Sequence, residues 1–365
     1  MSCENCQTCI SDAITIQPKN AVFNVTDACN FRCPYCFVEH NPRRATLEIA
    51  EKVCQYLLNA PNEGRPTLWF FGGEPMLEFN TIIKPIVEKY TDQMTFGITT
   101  NGSLLNEDVV DFFYKHKVSI LLSIDGVAEV QNVQRPFADG RPSFEAVCRN
   151  IPYLLLKYPE THFRATLTKH SIPYMNETYD FARHMGFKHI TFVVNEFEDY
   201  DDNDQLELER QYDLIALKIL DGSPLWLEDI SKAKEYNTQH ESTVFRCGYG
   251  TTSIGVTVEG KITPCQELSS FDGAVIGDVF NGIDKTLHEA FLQKATKELK
   301  MPEGLDPQMK TFILNGVCPK REYANNDFTV TKGREMQLRA MRHLYNHFHR
   351  VTRRSGNKYW QVISQ

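Results

Sequence analysis

The sequence predicts an α/β chain: a partial barrel of six β/α units, then a small unit built from a β-hairpin and a helix. Two observations carry this. Short β-rich apolar runs alternate with helical patterns from residue 21 to about residue 220, and beyond residue 240 a hairpin pattern replaces the alternation. A third observation is where the unusual residues fall: they follow the strands.

The strands come first as AVFNVT (21–26), TLWFF (67–71), MTFGITT (94–100), VSILLSI (118–124), HFRATLT (162–168) and HITFVV (189–194). Each is five to seven residues of β-branched, aromatic and aliphatic character. Helical periodicity separates them at 46–60, 80–90, 106–116, 143–157, 173–185 and 206–220. Strands joined through helices are parallel, with right-handed crossovers. A closed eight-fold TIM-type barrel needs two more units, and the pattern breaks near Gly222, so six units form an open, partial barrel. CGYGTTSIGVTVEGKITPCQEL (247–268) reads as a hairpin with Glu259-Gly260 at its turn. MQLRAMRHLYNHF (336–348) is a closing helix with Leu338, Met341, Leu344, Tyr345 and Phe348 on one side. The expected divisions are a cysteine-rich segment at 1–20, the barrel at 21–225, the hairpin unit at 240–325 and a basic helix and tail at 326–365.

Composition bounds the chemistry. The 365 residues are 42% apolar and 24% charged, ordinary for a globular enzyme, and no run of about 18 apolar residues offers a membrane span. The N-terminus has neither a basic start nor an apolar core, so it does not read as a signal peptide, and the cytoplasm is the expected compartment. Eleven cysteines in such a chain point to metal or redox chemistry rather than disulfides. Charge is uneven within a net −8. Residues 196–213 hold nine carboxylates and one arginine, whereas Lys332 to Lys358 hold eight Lys or Arg and one Glu. Each reads as a solvated face; the tail has a sharper reading as a dock for an acidic peptide. No nucleic-acid motif accompanies it, so neither nucleic acid nor membrane is an expected partner.

In a barrel of this kind chemistry sits at the C-terminal strand ends. There lie Cys29, Cys33 and Cys36 after the first strand, FGGEP (71–75) after the second, TTNG (99–102) at the third and SIDG (123–126) at the fourth. Three cysteines are one short of a closed tetrahedral set, and His40 is near enough to complete a zinc site. Three thiolates on a four-iron cluster instead leave one iron open.

The C-x3-C-x2-C run CNFRCPYC, with Phe31, Tyr35 and Phe37 beside the sulfurs, resembles the signature of radical S-adenosylmethionine (SAM) enzymes. The resemblance implies that SAM chelates the open iron of a [4Fe-4S] cluster and is reductively cleaved to a 5′-deoxyadenosyl radical. Gly72, Gly73 and Glu74 match the family's GGE motif, which meets the SAM amino group through a backbone edge, where a Cβ would obstruct close approach. Asn101, Ser123 and Asp125 resemble SAM-contacting positions, the last two facing the cavity if the strand keeps its period of two. Arg164 is a candidate partner for the SAM carboxylate, with Arg135 its competitor.

Cys247-x12-Gly260-x4-Cys265 resembles the opening of the SPASM or twitch extension, which holds auxiliary iron–sulfur clusters. The further C-x2-C-x5-C-x3-C run of a full SPASM unit is reduced to Cys318, with Arg321 where the second cysteine would stand, so a shortened, twitch-like unit is expected. Cys3, Cys6 and Cys9 have ferredoxin-type spacing. They complete the auxiliary cluster, hold a cluster of their own, or form a zinc-binding or unstructured tail. One or two auxiliary clusters follow from the first two readings. Cys54 and Cys148 read as buried small hydrophobes.

The stretch SIDGVAEVQNVQRPFADGRPSFEAV (123–147) resembles the corresponding part of radical SAM peptide maturases. That implies a ribosomal precursor peptide as substrate, hydrogen-atom abstraction from it, and a thioether, another cross-link or an epimerised residue as product. An electron donor such as flavodoxin or ferredoxin is the implied partner. The 28 residues before Cys29 read as too few for a leader-binding domain, so a leader is expected to be recognised by a separate leader-binding protein, by the basic tail, or not at all. The alternatives are an anaerobic sulfatase-maturating type of enzyme, a small-molecule radical SAM dehydrogenase, or a non-enzymatic Fe–S carrier.

Overall fold

The structure, a computed structural model, describes residues 18–60, 64–196, 198–238, 248, 250–295, 300–316 and 329–355. One mixed sheet of eleven strands organises these residues, with the six expected strands side by side in chain order within it. The six expected strands are β1 (Asn20–Thr26), β2 (Thr67–Gly72), β3 (Thr95–Thr100), β4 (Ser119–Ser123), β5 (His162–Leu167) and β6 (His189–Val194), and all neighbours among them are parallel. Their C-terminal ends therefore share one rim.

The intervening helices are α1 (Leu47–Asn59), α2 (Lys84–Tyr90), α3 (Glu107–Lys115), α4 (Ala128–Gln134), α5 (Phe144–Cys148), α6 (Ile151–Lys157), α7 (Met175–Met185) and α8 (Asp202–Leu220). In α1, Thr46 caps the first turn by accepting from Ile49 N at 3.2 Å, and Ala50, Val53, Cys54 and Leu57 form the buried stripe. Burying each of the two branched residues is worth about 1.5–3 kcal/mol. The expected helix at 143–157 is two helices, broken at Arg149 and Asn150 ahead of Pro152. Acidic residues 201–204 do more than face water: Asp201 and Asp204 form a reciprocal capping box at the start of α8, where carboxylates also complement the helix dipole.

Several elements extend the expected plan. A two-residue strand β7 (Trp226–Leu227) adds to β6, followed by α9 (Glu228–Thr238). The hairpin is β8 (Ser253–Val256) and β9 (Lys261–Thr263), turning at Gly260 with φ +81°. It continues through β10 (Gly277–Asp278) and β11 (Gly282–Ile283). β8 pairs parallel with β1, so the hairpin extends the barrel sheet at its open edge. Then come α10 (Lys285–Ala295), α11 (Pro307–Gly316) and α12 (Lys332–Ser355). α12 buries Leu338, Met341, Leu344, Tyr345 and Phe348, and Gln337 donates to the Phe192 carbonyl of β6 at 3.1 Å. No helix among the described residues is long and apolar enough to cross a membrane.

Candidate functional site

The strand rim encloses a cavity of about 240 Å³. Cys29, Cys33 and Cys36 line it, together with residues that leave β2 through β6. The cysteine loop is held from several sides. Phe31 meets Phe137 edge-on at 5.0 Å, Arg32 N donates to the Pro136 carbonyl at 2.9 Å, and Ala138 N to the Asn30 carbonyl at 2.8 Å. The stretch 135–141 thus embraces the cysteines, which gives RPFADGR a local task. Phe37 stacks on Phe71 at 5.9 Å, closing the other side.

Gly72 and Gly73 line the cavity and also serve a second, purely structural purpose. A Cβ on Gly72 would lie 2.1 Å from the Thr26 carbonyl oxygen, and one on Gly73 2.2 Å from that of Ala28. Gly72 also has φ +139°. Glycine is required here because the two loops press backbone to backbone, with Gly73 N donating to Thr26 O at 2.8 Å and Glu74 N to Ala28 O at 2.9 Å.

Glu74 is buried to 1% exposure and locks that loop onto the end of β3. Its carboxylate accepts from Asn101 N at 2.8 Å, Thr100 Oγ1 at 2.8 Å and Met76 N at 3.0 Å. Burial pushes its carboxyl up to about 7 against those hydrogen bonds. Asn101 in turn donates to Asn30 Oδ1 at 2.8 Å, beside Cys29.

Ser123 and Arg164 are register partners on β4 and β5, and both line the cavity with Arg135. Asp125 lies behind the lining instead. β4 ends at Ser123, so the alternation of faces lapses, and the Asp125 carboxylate is wholly buried. Arg135 Nε stands 3.0 Å from it, Gln134 Nε2 and Thr166 N donate to it at 2.8 and 2.9 Å, and the Tyr35 phenol donates from the cysteine loop. Burial alone would lower Arg135, but Asp125, Tyr35 and Cys33 outweigh it and hold its pKa above the ordinary value. Burial lowers Arg164, opposed by Glu267. Gln131, which accepts from Asp125 N at 2.9 Å, and Gln134 were not expected; both lie on α4, whose polar sequence gives no amphipathic signal.

Burial pushes the thiol of Cys29 up to about 12 and that of Cys33 to about 11, and it raises Cys36 as well. Arg135 opposes the shift at Cys33. Such thiols ionise only with a cationic partner. Tetrahedral zinc, with Zn–S bonds of about 2.3 Å, requires donor atoms about 4 Å apart. The three sulfurs and His40 do not gather so closely, since among the described residues only Asp213, His343 and His347 bring three donor atoms within 4.8 Å of one another. Three cysteines lining one cavity of about 240 Å³ suit a multinuclear cluster. Cys265 follows β9 and is half-buried, whereas Cys3, Cys6, Cys9, Cys247 and Cys318 lie outside the described residues. Cys54 is buried in the core and Cys148 packs against it.

Residues 23–182 match the radical SAM superfamily. An uncharacterised protein of Methanocaldococcus jannaschii, MJ0907, is 30% identical over 48% of this chain, and the match spans 62% of that protein, less than two-thirds of its length. A cysteine-type anaerobic sulfatase-maturating enzyme of Clostridium novyi is 24% identical over 74% of this chain and 78% of its own. Among solved structures, native anSMEcpe with bound AdoMet superposes with a TM-score of 0.75 at 20% identity, over 92% of this chain and 99% of that one. Streptococcus suis SuiB bound to its precursor peptide SuiA gives 0.64 at 16%, over 86% and 74%. These likenesses bear out the α/β partial-barrel fold.

Proposed function

From the radical SAM domain that residues 23–182 constitute, we propose that this enzyme is a peptide maturase. Its substrate is a ribosomally made precursor peptide, from which it takes a hydrogen atom to leave a thioether, another cross-link or an inverted stereocentre. The observation that carries the reading is the convergence of Cys29, Cys33 and Cys36 on the same cavity as the ends of β2 to β6.

A [4Fe-4S] cluster with SAM, when bound, supplies the radical chemistry. The chain supplies three thiolate ligands and a walled cavity. Gly72 and Gly73 present a backbone edge for the SAM amino group, and Glu74 keeps that edge rigid. Asn101 and Ser123 offer hydrogen bonds from the rim. Arg164 takes the SAM carboxylate, its guanidinium being the one not held by Asp125. Arg135 and Asp125 are positioning residues that fix the cysteine loop through Tyr35. Cys265, with Cys247 and Cys318, is assigned to an auxiliary cluster, and Cys3, Cys6 and Cys9 complete it or hold a second.

SuiB, which is crystallised with a precursor peptide, supports the choice of peptide over small molecule. A second reading, conversion of a cysteine or serine to formylglycine, draws on the length of the Clostridium novyi alignment. The chain's reduced cysteine run weighs against it. Incubation of reduced, cluster-loaded protein with SAM and the peptide encoded beside its gene tests both. Loss of two hydrogens without a carbonyl, or uptake of solvent deuterium, supports maturation; an aldehyde product, by loss of two hydrogens from serine or exchange of sulfur for oxygen at cysteine, supports the second reading. No change in any neighbouring peptide, with SAM cleavage intact, would point to a small-molecule substrate.

A further inference from the structure

Away from the cavity, α8 and α12 pack along one another, and each presents an i,i+4 pair at the contact. Glu209 and Asp213 come from α8, His343 and His347 from α12. Both histidines converge on a single oxygen: His343 Nε2 stands 3.0 Å from Asp213 Oδ1, and His347 Nδ1 bonds the same atom. The two rings are perpendicular, with centroids 6.3 Å apart.

The three donor atoms lie within 4.8 Å of one another, a grouping unmatched among the described residues. Side-chain exposures of 34% for Asp213, 39% for His343 and 28% for His347 leave a path from solvent. Two imidazoles and one carboxylate oxygen form a donor set for zinc and its transition-metal neighbours; magnesium and calcium require more oxygens. Glu209 adds an independent feature. Its Oε2 stands 3.8 Å from His343 Nδ1, the ring nitrogen opposite the one facing Asp213. At that distance the two are not hydrogen-bonded, but a small turn of the ring would bring Glu209 to the far nitrogen, where a carboxylate orients a metal-bound histidine.

We propose that Asp213, His343 and His347 bind a zinc-class divalent ion, with Glu209 orienting His343, so that the ion fastens α12 to α8. It would take the place of the protons now shared between the rings and Asp213. The consequence reaches the cavity, because α12 also holds the Phe192 carbonyl through Gln337 and places Arg334 3.7 Å from Glu196 on the cavity wall.

Equilibrium dialysis of the anaerobic, cluster-loaded full chain against zinc tests this. Asp213→Asn, which keeps the side chain's shape, and the double variant His343→Ala/His347→Ala should each take up one zinc fewer than wild type. Glu209→Gln should weaken uptake by about 10–100-fold. Iron content and circular dichroism establish that each variant is folded. Zinc-edge X-ray absorption of the wild-type site should show nitrogen and oxygen at about 2.0–2.1 Å without sulfur at about 2.3 Å. Undiminished zinc uptake by folded Asp213→Asn protein, or a first shell of sulfur alone, would overturn the proposal.

Discussion

The phenol of Tyr35, between the second and third cysteines, donates its hydrogen bond to the buried carboxylate of Asp125 beyond the end of β4. Ninety residues of chain separate the two. This contact joins the cysteine loop to the barrel wall, and Arg135 closes it by lying 3.0 Å from Asp125 and 5.5 Å over the Tyr35 ring. Replacing Asp125 by Ala strands a buried guanidinium, so a loss of about 3–5 kcal/mol is expected in denaturant unfolding. Tyr35→Phe removes one charge-assisted hydrogen bond and should cost about 1.5–3 kcal/mol. Both should retain less iron after reconstitution.

The glycine pair gives a sharper steric test. Gly73→Ala forces a Cβ to within 2.2 Å of the Ala28 carbonyl oxygen, in backbone that cannot swing aside. Overpacking of this kind costs about 1–3 kcal/mol. Gly273→Ala meets nothing within 4 Å and has ordinary backbone, so it is the matched neutral control. Thermal melts and iron content of the two variants should diverge.

Glu74 predicts a pH dependence of stability. Its folded carboxyl titrates at about 7, against 4.5 for the ordinary group. Between those values the folded chain holds more protons than the unfolded one, so this group's contribution falls as pH rises from about 4.5 to 7 and is level above. The full effect is about 3 kcal/mol at most. Glu74→Gln should flatten that slope in urea titrations. It should also cost about 1–3 kcal/mol, because an amide NH₂ would face one of the donors that Glu74 now accepts from.

Arg164 separates cofactor binding from folding. It lines the cavity, whose walls desolvate its guanidinium although the side chain still reaches solvent, so Arg164→Met should leave the melting temperature nearly unchanged. Loss of a charge-assisted pair with the SAM carboxylate should weaken SAM binding by about tenfold or more. Calorimetric titration of the cluster-loaded variant measures this.

Most of the barrel was legible because its strands are compact β-rich runs separated by periodic helices. What escaped was encoded nonlocally or in polar residues. AEVQNVQ forms α4 while burying Gln131 and Gln134 as hydrogen-bond partners, which leaves no apolar stripe to read. The pairing of β8 with β1 joins residues more than two hundred positions apart, and no local pattern specifies it. Ser123 and Asp125 were expected on one face; the strand's end at Ser123 turned Asp125 into the barrel wall. The glycines of GGE were recognisable by type, but their contact with Thr26 and Ala28 depends on how two loops meet. The surface ion pairs that Arg339 and Arg342 make with Glu335 and Asp306 likewise depend on tertiary placement and helix register rather than on the charge run itself.

The proposed chemistry requires Cys29, Cys33 and Cys36 to hold a cluster with one iron open to SAM. Its most direct test is the electron paramagnetic resonance spectrum of anaerobically reduced protein, recorded before and after SAM is added, with 5′-deoxyadenosine measured in the same sample. A SAM-dependent change of spectrum and formation of the nucleoside are expected, both abolished by Cys33→Ala. An unchanged spectrum and no nucleoside, from protein carrying its full iron complement, would contradict it.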